Sequence, residues 1–165
     1  MKKLLYLLIA LLSISFIACS DDDNDGGTDP IDDAKPWVGT WLSAGSNVAP
    51  ILVNVFQYDS VRVTMNVDNT VTLESHVKDG AWSTLSGVYT VNESSSGNVH
   101  AININYTAFE QEGIIEVVSG NPDQMKLEAV QTVPDIGATP RTPESGFGSE
   151  PALGNLNIQT YVRIN

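Results

Sequence analysis

The stretch Val61-Arg62-Val63-Thr64-Met65-Asn66-Val67-Asp68-Asn69-Thr70-Val71-Thr72-Leu73-Glu74 decides the fold class. Val61, Val63, Met65 and Val67 alternate with Arg62, Thr64 and Asn66, and beyond Asp68-Asn69 the residues Val71 and Leu73 alternate with Thr72 and Glu74. Successive side chains of an extended strand point to opposite faces, so this alternation sends the apolar residues to one face and the polar ones to the other. Asp-Asn suits the tight turn between them, because short polar side chains bond the neighbouring backbone and tolerate left-handed geometry. The segment therefore reads as an antiparallel hairpin with one dry face and one wet face.

The same period of two extends in both directions. Asp79-Gly80 marks a second hairpin turn, leading through Trp82 to Val88-Tyr89-Thr90-Val91. Ile102, Ile104 and Tyr106 alternate with Asn103 and Asn105; Ile114 to Val118 form a further run, and Met125, Leu127 and Ala129 alternate with Lys126 and Glu128. Ile158, Thr160, Val162 and Ile164 alternate with Gln159, Tyr161 and Arg163. With Trp37 to Leu42 and Ile51 to Phe56 also read as strands, the count is eight or nine, and no segment sustains a helical period. Short strands at this density predict an all-β domain over residues 36–165, either an antiparallel up-and-down barrel of about eight strands or a β-sandwich.

Gly39-Thr40-Trp41 opens the first strand and Arg163 lies in the last. This resembles the lipocalins and their calycin relatives, in which a Gly-x-Trp near the start meets an arginine of the final strand across the barrel floor. The resemblance implies a barrel closed at one end by Gly39, Trp41 and Arg163, with the guanidinium stacked on the indole, and it favours the barrel over the sandwich. With Asp-Asn-Thr in one turn and Gly-Val-Tyr-Thr-Val in a later strand, the domain looks like the lipocalin-like domains of Bacteroidetes lipoproteins.

The chain ahead of this domain carries an address. Lys2 and Lys3 precede a fifteen-residue, mostly apolar run from Leu4 to Ala18, broken only by Ser13 and Ser15. That is the charged and apolar pattern of a signal peptide, and it is short of the roughly twenty residues a membrane span needs. Phe16-Ile17-Ala18-Cys19 resembles a lipobox, so residues 1–18 are expected to be cleaved and Cys19, the only cysteine, to be acylated. Two or three acyl chains would hold the protein stably on a membrane. Ser20, Asp21, Asp22 and Asp23 resemble the export signal that carries Bacteroidetes lipoproteins to the outer face of the outer membrane. Residues 19–35 form the expected acidic tether, since like charges with Gly26, Gly27 and Pro30 extend rather than pack. Asp21, Asp23, Asp25, Gly26 and Asp32 match the spacing of a calcium loop, but prolines at 30 and 36 oppose the flanking helix that such a loop needs.

The whole chain has a net charge of −12. Loss of residues 1–18 removes two lysines and leaves six basic against twenty acidic groups, a net −14, which opposes nucleic-acid binding. From Lys35 onward, six basic against thirteen acidic groups leave −7. His76 and His100, the only histidines, sit in separate strand patterns and belong to no spaced metal-ligand set, so neither a metal, a cofactor nor a catalytic residue is expected. Ser145-Gly146-Phe147-Gly148-Ser149 lacks the strand-to-helix setting of a nucleophile elbow. It lies in a long, proline-rich loop from Pro134 to Leu156, where Phe147 between two glycines is a candidate lid. Asp59-Ser60-Val61 resembles an O-glycosylation site of exported Bacteroidetes proteins. The functional expectation is a non-catalytic binding module for a small apolar or amphipathic ligand. The alternative is an accessory surface protein with a filled core that contacts glycan or protein partners through Trp37, Trp82 and Tyr58.

Overall fold

A computed structural model describes residues 35–165. Eight antiparallel strands follow one another around a closed barrel: β1 (Gly39–Ala44), β2 (Tyr58–Met65), β3 (Thr70–Val77), β4 (Trp82–Asn92), β5 (Val99–Asn105), β6 (Glu110–Val118), β7 (Gln124–Val133) and β8 (Ile158–Arg163). Each strand pairs with its neighbours in sequence, and β1 pairs with β8 through Trp41 opposite Arg163 and Leu42 opposite Val162. Closure pairs the first strand with the last, so neither is left as the open edge of a sheet. The fold is thus the barrel, not the sandwich. Among the described residues no helix is long and apolar enough to cross a membrane.

The alternating apolar residues of β2 and β3 line the barrel, whereas Val67 in the turn between them is exposed. Val61, Val63 and Met65 of β2, Val71 of β3, and Ile102 and Ile104 of β5 are buried with Trp41, Tyr89, Ile115, Met125 and Tyr161 in one core. Both hairpin turns form as their residues require: Asn69 (φ 65°) and Asp79 (φ 61°) take the left-handed conformation. Asp68 Oδ1 accepts the Thr70 N–H at 3.0 Å.

One element departs from the sequence reading. Ile51 to Phe56, expected as a strand, belongs to a helix, α1 (Pro50–Phe56). Pro50 begins it, with a preset φ and no N–H to lose, and Gln57 ends it in the left-handed conformation. The β-branched residues favour a strand locally, but here Ile51 and Leu52 tuck over one end of the barrel and tertiary packing overrides propensity. In β8 the polar-looking set faces inward: Gln159 and Tyr161 are buried inside. The aliphatic partner Ile158 lies outside, in register with Glu128 of β7, which in turn is in register with Ile114 of β6.

The long loop accounts for an aliphatic residue on that outer face. Gly148 N–H donates to Glu128 Oε2 at 2.7 Å, and a side chain on Gly148 would touch Ile158. The loop thus covers the outer row Ile114–Glu128–Ile158. Ile114 and Glu128 are buried although they point away from the barrel axis.

Candidate functional site

The two ends of the barrel differ. At the end where the described chain enters, Trp41 is fully buried and its Nε1 donates to the Trp37 carbonyl at 2.9 Å. The Arg163 guanidinium lies over the indole, 4.1 Å from the ring centroid, a separation at which the ring quadrupole attracts the cation. Its Nε donates to Asp123 Oδ2 at 2.9 Å, Nη1 to the Val38 carbonyl at 2.7 Å and Nη2 to the Pro36 carbonyl at 2.6 Å. The Gly120 N–H and then Arg163 hold the Asp123 carboxyl below its ordinary range. Gly39 adopts φ 137°, and a side chain there would run into Arg163 and the Asn165 carbonyl. The structure therefore brings Gly39, Trp41 and Arg163 together in one floor.

The opposite end holds a cavity of about 370 Å³, at the lower end of the size range for small-molecule sites. Its walls are Val63, Leu73, Leu85 and Leu127, with Ile51 and Leu52 of α1 over the mouth. Tyr106 and Tyr161 also line it, and burial pushes both phenols well above their ordinary value, so they stay protonated. Besides Ser75 and Ser83, the polar lining is built from amides. Gln159 is 4 % exposed; its Oε1 accepts the Ala49 N–H at 2.6 Å, while its Nε2 has no partner. Asn157 is 9 % exposed and neither its Oδ1 nor its Nδ2 has one. Gln111 and Gln131 stand nearby on paired positions of β6 and β7. Buried polar groups are nearly always hydrogen-bonded, so three unpartnered amide atoms around one cavity call for an explanation.

The opening follows from unequal hairpins. β4 pairs with β5 only from Val88 to Asn92, because the β5–β6 connection turns early, at Tyr106–Phe109. Trp82 to Gly87 therefore pair on one side only, with β3. Leu85 lines the cavity yet remains 38 % exposed. The notch between this half of β4 and the Tyr106–Phe109 turn leads from solvent to the cavity.

Other candidate residues lie elsewhere. Phe147 packs beneath Lys126 on the outer face of β7, with the ammonium 4.9 Å from the ring centroid, and does not line the cavity. The cover over the mouth is α1. His76 is outside the barrel as well: Nδ1 lies 2.7 Å from Asp59 Oδ1 and Nε2 lies 3.2 Å from the Gly80 carbonyl. Asp59 is the main reason its pKa is raised. With both ring nitrogens facing acceptors, the surroundings favour the doubly protonated imidazolium. His100 Nδ1 accepts the Ser94 N–H at 3.1 Å, and its ring meets Trp37 edge-on. Ser60 lies within β2, opposite Ala44 and His76. Cys19, Ser20, Asp21, Asp22 and Asp23 fall outside the described residues, as do Asp25, Gly26 and Asp32 of the calcium-like spacing.

Sequence reasoning missed Asn157, Gln159 and the covering helix. Pro50 was the available signal for α1, whereas Gln159 was hidden because its strand carries aliphatics on the alternate face.

Fold and cavity together define a class: a small closed antiparallel barrel with one sealed end and one ligand-sized cavity, compatible with a binding module. Comparison with family models, with curated proteins and with solved structures gives no match for this chain.

Proposed function

We propose that this protein is a lipid-anchored surface lipoprotein whose lipocalin-like barrel takes up a small amphipathic molecule without transforming it. The observation that carries the binding part is the 370 Å³ cavity with aliphatic walls and unpartnered amides. An apolar body entering it would leave water for the aliphatic walls, at roughly 25 cal/mol per Å² of apolar surface removed from water. The polar end would satisfy amide groups that otherwise lack partners. The lining carries no His, Cys, Lys, Arg or carboxylate side chain. The calycin reading draws support from the Trp41–Arg163 floor. The rival reading required a filled core and clustered outer aromatics. Trp37 is buried and Tyr58 lines the cavity, which leaves Trp82 alone exposed among the three.

The anchor and the outer-membrane address rest on the sequence around Cys19 and Asp21 to Asp23. Labelled palmitate should enter the full chain but not Cys19→Ala, and that variant should leave the membrane fraction. For binding, the chain from Cys19 onward, carrying Cys19→Ala, is titrated with N-phenylnaphthylamine, a neutral apolar fluorophore. Fluorescence should rise to saturation, Ala129→Trp should abolish the rise by filling the mouth, and Phe147→Ala should leave it unchanged. Failure of the parent chain to take up the probe would defeat the cavity reading.

A further inference from the structure

We infer that the ligand's polar group is uncharged and both donates and accepts hydrogen bonds, as an amide or hydroxyl does, and that the cavity discriminates against fatty-acid carboxylates and alkylammonium ions. This rests on the cavity reading above and adds the chemistry of the head group.

No lining residue is Asp, Glu, Lys, Arg or His. An ion brought into the cavity therefore meets no counter-charge there, and removing an ion from water costs several kcal/mol unless a partner charge offsets it. Tyr106 and Tyr161 do not supply one, because burial keeps both phenols neutral. The buried amides specify the complement. Asn157 offers both an acceptor oxygen and a donor nitrogen, and Gln159, with its oxygen committed to Ala49, offers a donor. A carboxylate only accepts and an ammonium only donates, so each leaves part of this set unpaired. An amide or hydroxyl can answer both the oxygen and the nitrogens. Unpaired buried polar groups are costly, which makes such a set selective against a head group that lacks the matching atom.

The outside of the molecule sharpens the contrast. The chain from Lys35 onward carries a net −7, so the long-range field favours a cation and repels an anion. If the field decided selectivity, an alkylammonium would bind best. If the lining decides, the neutral head group wins over both ions.

The test is displacement of N-phenylnaphthylamine from the chain described above at neutral pH by decanamide, decanoate and decylamine. These share one tail length, so the apolar contribution largely cancels. Decanamide should displace the probe at about tenfold lower concentration than either ion, a difference of about 1.4 kcal/mol. Asn157→Leu should retain the probe but bring decanamide to within about threefold of the ions, because the buried amide is gone. Gln131→Lys, a change at a half-buried position, should supply the missing counter-charge and raise decanoate to the level of decanamide or above. Equal or better displacement by decanoate or decylamine in the parent chain would overturn the inference while leaving the cavity reading in place. A parent chain that takes up no probe would remove both.

Discussion

Each of the three guanidinium nitrogens of Arg163 at the sealed end of the barrel has an acceptor within 2.9 Å. At the mouth, Asn157 is better removed from solvent, 9 % exposed against 25 % for the Arg163 side chain, and its side chain has no partner at all. Both ends use polar groups inside a barrel, but only one end uses them to hold itself together. A satisfied buried network fixes a single geometry, whereas an unsatisfied one stores a demand that a ligand can meet. The contrast separates a floor built for stability from a mouth left incomplete.

The largest expected effect tests the floor. Trp41→Ala empties a fully buried indole site and should destabilise the chain by about 3–5 kcal/mol in denaturant unfolding. A loss below about 1 kcal/mol would erase the distinction between the two ends. Gly39→Ala should cost less, about 1–3 kcal/mol, because the new methyl group meets Arg163 and a carbonyl in a backbone conformation that disfavours side chains. Equal stability would mean that the guanidinium can shift away from the glycine freely.

At the mouth the same kind of measurement should give nearly nothing. Asn157→Leu removes two unpartnered polar atoms, so its unfolding free energy should change by no more than about 1 kcal/mol and in the stabilising direction. A loss above about 2 kcal/mol would make Asn157 a structural residue and weaken the contrast.

The smallest effect concerns the outer wall and depends on pH. His76 has a folded pKa raised above the ordinary 6.5, chiefly by its hydrogen bond to Asp59, whose own pKa is lowered by the same contact. Its contribution is therefore fully present below 6.5 and is lost as pH rises through the raised folded value. Melting temperature should fall slightly across that window, and His76→Gln should flatten the profile without touching probe uptake. An NMR titration placing His76 at or below 6.5 would contradict the pairing.

Much of this architecture is legible in the sequence. The Val61 to Glu74 hairpin, its Asp-Asn turn and the following strands are local patterns, and a period of two states the backbone conformation directly. Trp41 and Arg163 could be singled out only through the resemblance to lipocalins, in which a Gly-x-Trp of the first strand meets an arginine of the last. Ile51 to Phe56 misled because β-branched and aromatic residues favour strands, while Pro50 and the barrel mouth decide for a helix. Phe147 drew attention as an apolar tip between glycines, yet which surface a long loop covers depends on what lies beneath it: the Ile114–Glu128–Ile158 row, assembled from three strands.

The sequence by itself determined the strands, the turns and the all-antiparallel class, because each depends on neighbours in the chain. Closure of the barrel, the inward turn of Gln159 and Tyr161, and the gathering of unpartnered amides around one cavity were decided only by tertiary structure. Those features bring together residues from distant strands, and which face of β8 is the inner one is set by where the sheet closes and what the loop covers, not by the alternation within β8.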